Sequence, residues 1–215
     1  MSIALTAVPA MAQSNGRQAQ IVVDADTMEV LFERHAQESR IPASITKVMT
    51  IYLMFDALER GTLSWNDRIV FSRNAAAQRP TKLFVPAGQS ISVQTAIEAL
   101  ILRSANDVAT AVAEKLGGTE ANFAQMMTVK ARELGMANTL FRNASGWPNA
   151  TQRSTAEDLA RLAIAIHRDF PSQFHWFGAT EMTYNGQIIT GHNHLMRRMP
   201  GMDGLKNRFY QRIGL

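Results

Sequence analysis

The stretch IPASITKVMTIYLMFDALERG, residues 41–61, decides the fold. Pro42 at its entrance and Gly61 just past its end bracket a helix. From Val48 to Leu58 nearly every position is apolar, so the helix has no polar face to give to water. Such a helix lies in the middle of a core, not on its surface. Ser44 and Lys47 stand at its mouth, three residues apart and therefore on one face.

Working outward, QIVVDADTMEVLFERHA (20–36) reads as a hairpin turning on Asp24-Ala25-Asp26-Thr27. Residues 64–92 are rich in loop signals, with Pro80, Pro86 and Gly88. SVQTAIEALIL is helical with Ser92 as its cap, and it breaks at Ser104-Ala105-Asn106 before resuming to Gly117-Gly118. Thr119 caps a further helix that stops at Gly135. Ser154 and Glu157 have the spacing of a capping box for the helix that ends before Pro171. Asn185-Gly186 turns a second hairpin. Strands at both ends with helices between predict an α+β domain.

The 215 residues are 46% hydrophobic and 19% charged, ordinary for a globular chain. The net charge of +4 is scattered, without a Lys/Arg run, so no nucleic-acid partner is expected. The absence of cysteine excludes disulfides, thiolate catalysis and cysteine zinc sites. His192 and His194 lack a third ligand at metal spacing, so neither metal nor other cofactor is expected. Ala10-Met11-Ala12 after a short apolar run fits a signal-peptidase site, which makes residues 1–12 the end of an export signal and 13–215 the mature domain.

An amine in a dry place has a lowered pKa, and a neutral Lys47 can take the proton of Ser44. The hydroxyl then becomes a nucleophile beside a helix N-terminus that favours developing negative charge. The alternative is a capping serine and a lysine that snorkels to water. Ser104 and Asn106 have the same two readings. Either they cap an interrupted helix, with Asp107 serving the dipole, or a second hydroxyl and an amide line the same cleft.

In order, S-x-x-K at 44–47, S-x-N at 104–106 and a lysine at 206 match the serine acyl-transferases that penicillin acylates. PASITKVMT, LILRSANDVATAVAE, LGMANTLFRNASGWP, STAEDLARLA and the HNHLM…GMDGLK region together resemble the low-molecular-mass penicillin-binding proteins, the D-alanyl-D-alanine carboxypeptidases. The resemblance implies a β-lactamase/transpeptidase-like fold, an antiparallel sheet packed against a helical cluster, in a periplasmic, soluble protein; the amphipathic anchor that some relatives carry is not seen in the sequence, so no membrane attachment is expected. It implies Ser44 as the acylated nucleophile, Lys47 as base and Ser104 as proton relay. Asn106, Lys206, Asn207 and Phe209 would contact substrate, Phe209 through an oxyanion-hole N–H. The substrate would be a peptidoglycan stem peptide ending in D-Ala-D-Ala, and β-lactams would mimic it. A D,D-endopeptidase is an alternative. A class A β-lactamase is disfavoured, because its E-x-x-L-N loop is missing.

The family pattern G-x-D-G-L-K-T-G-F reads G-M-D-G-L-K-N-R-F here, with Asn207 and Arg208 in place of threonine and glycine. The resemblance further implies C-terminal strands beyond residue 215, so the domain is expected to be incomplete, with an unpaired edge beside the first hairpin. A family-like ending K-T-G-F-I-S-A-S-G-Y-N, shifted by one base after its first codon, can read K-N-R-F-Y-Q-R-I-G-L and stop. A frameshift is therefore the expected origin of these residues, and an inactive fragment or weak muropeptide binder is the alternative function. The neighbouring reading frame of the gene tests this.

Overall fold

The computed structural model describes residues 18–198, 202, 204 and 205. The expected export signal, Lys206, Asn207, Arg208 and Phe209 lie outside the described residues. In chain order the elements are β1 (Gln20–Val23), β2 (Val30–Arg34), a single turn Ala43–Ile45, α1 (Thr46–Glu59), β3 (Arg68–Val70), α2 (Arg73–Ala76), β4 (Ser90–Ser92) and α3 (Val93–Glu98). A π-helical turn, Ala99–Arg103, leads to α4 (Asn106–Gly117), α5 (Glu120–Glu133), α6 (Ala156–Asp169), β5 (Glu181–Tyr184) and β6 (Gln187–Thr190).

Helix α1 is the axis of the core. Met49, Ile51, Met54 and Phe55 are fully enclosed, and so is Lys47. The helix packs against α4, α5 and α6, so its lack of a polar side is matched by neighbours around it. Phe170 closes its far end, edge-on to Tyr52 and Phe55 at centroid distances of 4.8 and 5.6 Å.

The strands form three two-stranded antiparallel ribbons among the described residues: β1–β2, β3–β4 and β5–β6. In the first ribbon, Asp24 Oδ1 accepts the N–H groups of Asp26 and Thr27 at 3.1 and 2.8 Å, the turn chemistry that its aspartates predict. The third turns on Asn185 and Gly186, at φ 50° and 74°, the left-handed pair that a two-residue hairpin needs. The ribbon β3–β4 lies within the segment read as loop; three residues per strand are too few for alternation to be visible. A cavity of about 740 Å³ is lined by Ile21 and Val23 of β1, Leu159 and Ala163 of α6, and Ile41 and Leu205 among others.

The caps expected from Ser92 and Thr119 are present; their hydroxyls accept the N–H of Thr95 and Asn122 at 3.0 and 3.1 Å. The cap of α6 differs from expectation. Thr155, not Ser154, accepts the Asp158 N–H, at 3.1 Å. Ser154 is committed elsewhere, because its backbone pairs with Arg40 and its hydroxyl with Thr139 at 2.8 Å. Glu157 turns outward to Arg161 at 2.8 Å. Thr155→Ala should therefore cost about 1 kcal/mol and lower Tm by roughly 2–4 °C, whereas Glu157→Ala should leave Tm nearly unchanged; thermal unfolding followed by circular dichroism checks both.

Candidate active site

Ser44 is half-buried on the single turn before α1, and Lys47 lies one helical turn later. The lysine does not snorkel. It is fully buried, and its Nζ donates to Asn106 Oδ1 at 2.8 Å and to the Ser145 carbonyl at 2.5 Å. Both acceptors are neutral oxygens, brought from positions 59 and 98 residues away along the chain.

The break between α3 and α4 has a definite shape. The π-helical turn ends at Ser104, which adopts a left-handed conformation with φ 56° and ψ 40°. That conformation is costly for a side chain other than glycine, by about 1–2 kcal/mol, and such strain collects at functional sites. The Ser104 hydroxyl is buried and has no hydrogen-bond partner among the described residues. An ordinary helix cap would bond its hydroxyl to an N–H of the helix it starts. This one does not, and α4 has no side-chain cap at its N-terminal boundary residue, Ala105.

The wall opposite is the loop Asn143–Trp147. Asn143 Oδ1 accepts the Gly146 N–H at 2.7 Å, and Asn143 Nδ2 donates to the Trp147 carbonyl at 2.9 Å, closing a tight turn. Thr50 Oγ1 donates to the Ala144 carbonyl at 2.7 Å, so α1 itself holds the loop. Gly146, at φ +79°, lies so near the turn bearing Ser44 that a Cβ there would stand 1.8 Å from the Ala43 carbonyl oxygen.

Glu120 supports the same loop from behind, accepting the Ala144 N–H at 3.1 Å. Burial pushes its carboxyl above the ordinary carboxylate value, and the Ala144 N–H opposes that rise. A group whose pKa is raised on folding contributes stability that is complete below its unfolded pKa and is lost as pH rises through the folded one. Glu120→Gln keeps an acceptor and removes the charge. Its Tm relative to the parent should be unchanged at acid pH and higher at neutral pH, which thermal unfolding across that range measures.

Lys47 and Asn106 thus meet directly, Ser104 lies two residues before Asn106, and Ser44 shares the helix mouth with Lys47. Ser44, Lys47, Ser104 and Asn106 do not line the apolar cavity beneath β1. Residue patterns did not reveal the Ser145 carbonyl, because a backbone acceptor leaves no signature beyond the turn residues around it. Nor did they reveal the buried role of Asp107. Among the described residues no group of three or more His, Asp or Glu side chains could hold a metal ion. No helix there is long and apolar enough to cross a membrane.

A family model described as Peptidase_S11, D-alanyl-D-alanine carboxypeptidase, matches residues 6–214. Among curated relatives, the D-alanyl-D-alanine carboxypeptidase DacF of Bacillus subtilis is 30% identical over 194 residues, 88% of this chain and 50% of that protein. DacA of Escherichia coli K12 is 28% identical over 216 residues, 97% of this chain and 53% of its own length. The chain spans about half the length of these relatives. Among solved structures, penicillin binding protein 6B from Escherichia coli superposes with a TM-score of 0.82 at 28% identity, over 95% of this chain and 67% of that one. Penicillin-binding protein D2 from Listeria monocytogenes, in its ampicillin-bound form, gives 0.81 at 27% identity, over 93% and 82%.

Proposed function

The chain belongs to the D-alanyl-D-alanine carboxypeptidase family, and on that premise we propose that it is a serine acyl-transfer enzyme removing the terminal D-alanine of peptidoglycan stem peptides. The observation that carries this reading is the buried Lys47 amine, one helical turn from Ser44 and held by Asn106 and the Ser145 carbonyl.

In the first step Ser44 Oγ forms a bond to the carbonyl carbon of the penultimate D-alanine, and its proton passes to the Lys47 amine. As a neutral group, the amine donates to Asn106 Oδ1 and Ser145 O and accepts that proton on its lone pair. The Ser44 backbone N–H donates to the oxyanion, with the Phe209 N–H as its counterpart. As the C–N bond breaks, the proton moves through the Ser104 hydroxyl to the leaving amine, and free D-alanine departs. Water then attacks the Ser44 ester and releases the shortened peptide. Asn106 also orients the substrate amide, Lys206 supplies positive charge toward the terminal carboxylate, and Asn207 donates its side-chain amide to that carboxylate. A β-lactam enters by the same first step, its strained amide opening onto Ser44. The substrate places the protein at the cell wall, in the periplasm after export.

A D-Ala-D-Ala-ended pentapeptide tests the reading. Free D-alanine should appear with the parent protein and be absent with Ser44→Ala; equal release from both would sink it. Arg208, where the family carries glycine, favours a second reading, a chain that binds but does not turn over. Tight peptide binding without D-alanine release would identify that case.

A further inference from the structure

We propose that Asp107 is a positioning residue for this site, acting through the 79–84 segment to fix which way the Asn106 amide faces; this rests on the proposed role of Asn106 beside Lys47. Asp107 is fully buried at the start of α4. Its Oδ1 accepts the N–H groups of Leu83 and Val108 at 3.0 and 2.9 Å, and its Oδ2 those of Leu83 and Phe84 at 3.1 and 2.9 Å. A carboxylate that served only the helix dipole would do so from the surface, without the cost of burying a charge. Here that cost is offset by backbone donors drawn largely from a distant segment.

The anchored segment is tied back to the Ser104–Asn106 bend. The Thr81 carbonyl accepts the Asn106 N–H at 2.8 Å, Thr81 Oγ1 donates to the Ser104 carbonyl at 2.7 Å, and Arg103 Nε donates to the Lys82 carbonyl at 3.3 Å. The decisive contact is Asn106 Nδ2, which donates to the Arg79 carbonyl at 3.0 Å. An asparagine amide has a donor end and an acceptor end. With Nδ2 held by Arg79, Oδ1 must face Lys47, as it does at 2.8 Å. Without the Arg79 carbonyl the amide can turn over and set two N–H donors against the lysine. Asp107 therefore reaches Lys47 by way of residues 79–84 and Asn106.

Asp107→Asn tests this, because its amide sets a donor against the Phe84 N–H or the Leu83 N–H while keeping shape. Two readouts are needed, and the first requires no turnover. Hydrogen exchange of the Asn106 side-chain amide, followed by NMR, should accelerate about tenfold, and acylation by a fluorescent penicillin should slow by about the same factor, as loss of one charge-assisted hydrogen bond implies. Thr81→Val loosens the same segment from its other end without touching the buried charge, so it should move both readouts in the same direction even if Asp107→Asn fails to fold. Faster exchange at Leu83 and Phe84 with parental behaviour at Asn106 and parental acylation would overturn the proposal, leaving Asp107 a local staple. If the parent takes no penicillin, the acyl-transfer reading fails, and the exchange arm alone decides the role of Asp107.

Discussion

Lys47→Ala should slow acylation of Ser44 by about a hundred- to ten-thousand-fold, the range for loss of a positioned base. It should also destabilise the fold. Removal of the side chain leaves a void in the core and strips a donor from Asn106 Oδ1 and from the Ser145 carbonyl. Each buried acceptor left without a partner costs about 1–3 kcal/mol, and the cavity adds to that. Lys47→Arg should not restore the rate, because a guanidinium stays protonated and cannot serve as base. Stopped incorporation of labelled penicillin gives the rate, and denaturant unfolding gives the stability. A Lys47→Ala protein that unfolds as the parent does and acylates at the parental rate would show that the amine is neither base nor strut.

Gly146→Ala should be among the most damaging single added methyls at the described glycines. The new Cβ would lie 1.8 Å from the Ala43 carbonyl oxygen, 2.4 Å from its carbon and 2.9 Å from Thr46 Oγ1, so backbone must move on one side or the other. The residue also sits at φ +79°, which a side chain resists. We expect a loss of about 3–5 kcal/mol, in the range of the most disruptive substitutions. Movement of this loop carries the Ser145 carbonyl away from Lys47, so acylation should fall as well. Gly118→Ala is the control. It has a similar φ of +73° but nothing within 4 Å of its Cβ. Its cost should be about 1 kcal/mol, from the backbone alone, with no effect on acylation. Comparable unfolding midpoints for the two variants would remove the steric argument.

Much of this architecture was readable in residue types, for physical reasons that also mark the limits. The ends of α1, the caps Ser92 and Thr119 and the Asn185-Gly186 hairpin rest on local chemistry, in which a residue and its immediate neighbours suffice. Thr155 displaced Ser154 as a cap because Ser154 is claimed by Arg40 and Thr139, contacts that no local pattern contains. The break at Ser104 was visible, but its π-helical turn and left-handed serine arise from packing of the 79–84 segment against it. Asn106 was expected, on one of its two readings, to line the same cleft as Lys47, whereas the lysine's second partner, a carbonyl in the 143–147 loop, depends on tertiary approach alone. Asp107 was read only as serving a helix dipole, and its burial with hydrogen bonds from Leu83 and Phe84 is a tertiary feature that no local pattern contains.

The most direct test is the intact mass of the folded protein after exposure to benzylpenicillin, followed by peptide mapping. Opening of a β-lactam onto a hydroxyl expels no atoms, so the account predicts a gain equal to one whole penicillin molecule, carried by the peptide containing Ser44 and absent in Ser44→Ala. An unmodified mass from folded protein, or an adduct that persists in Ser44→Ala, would contradict it.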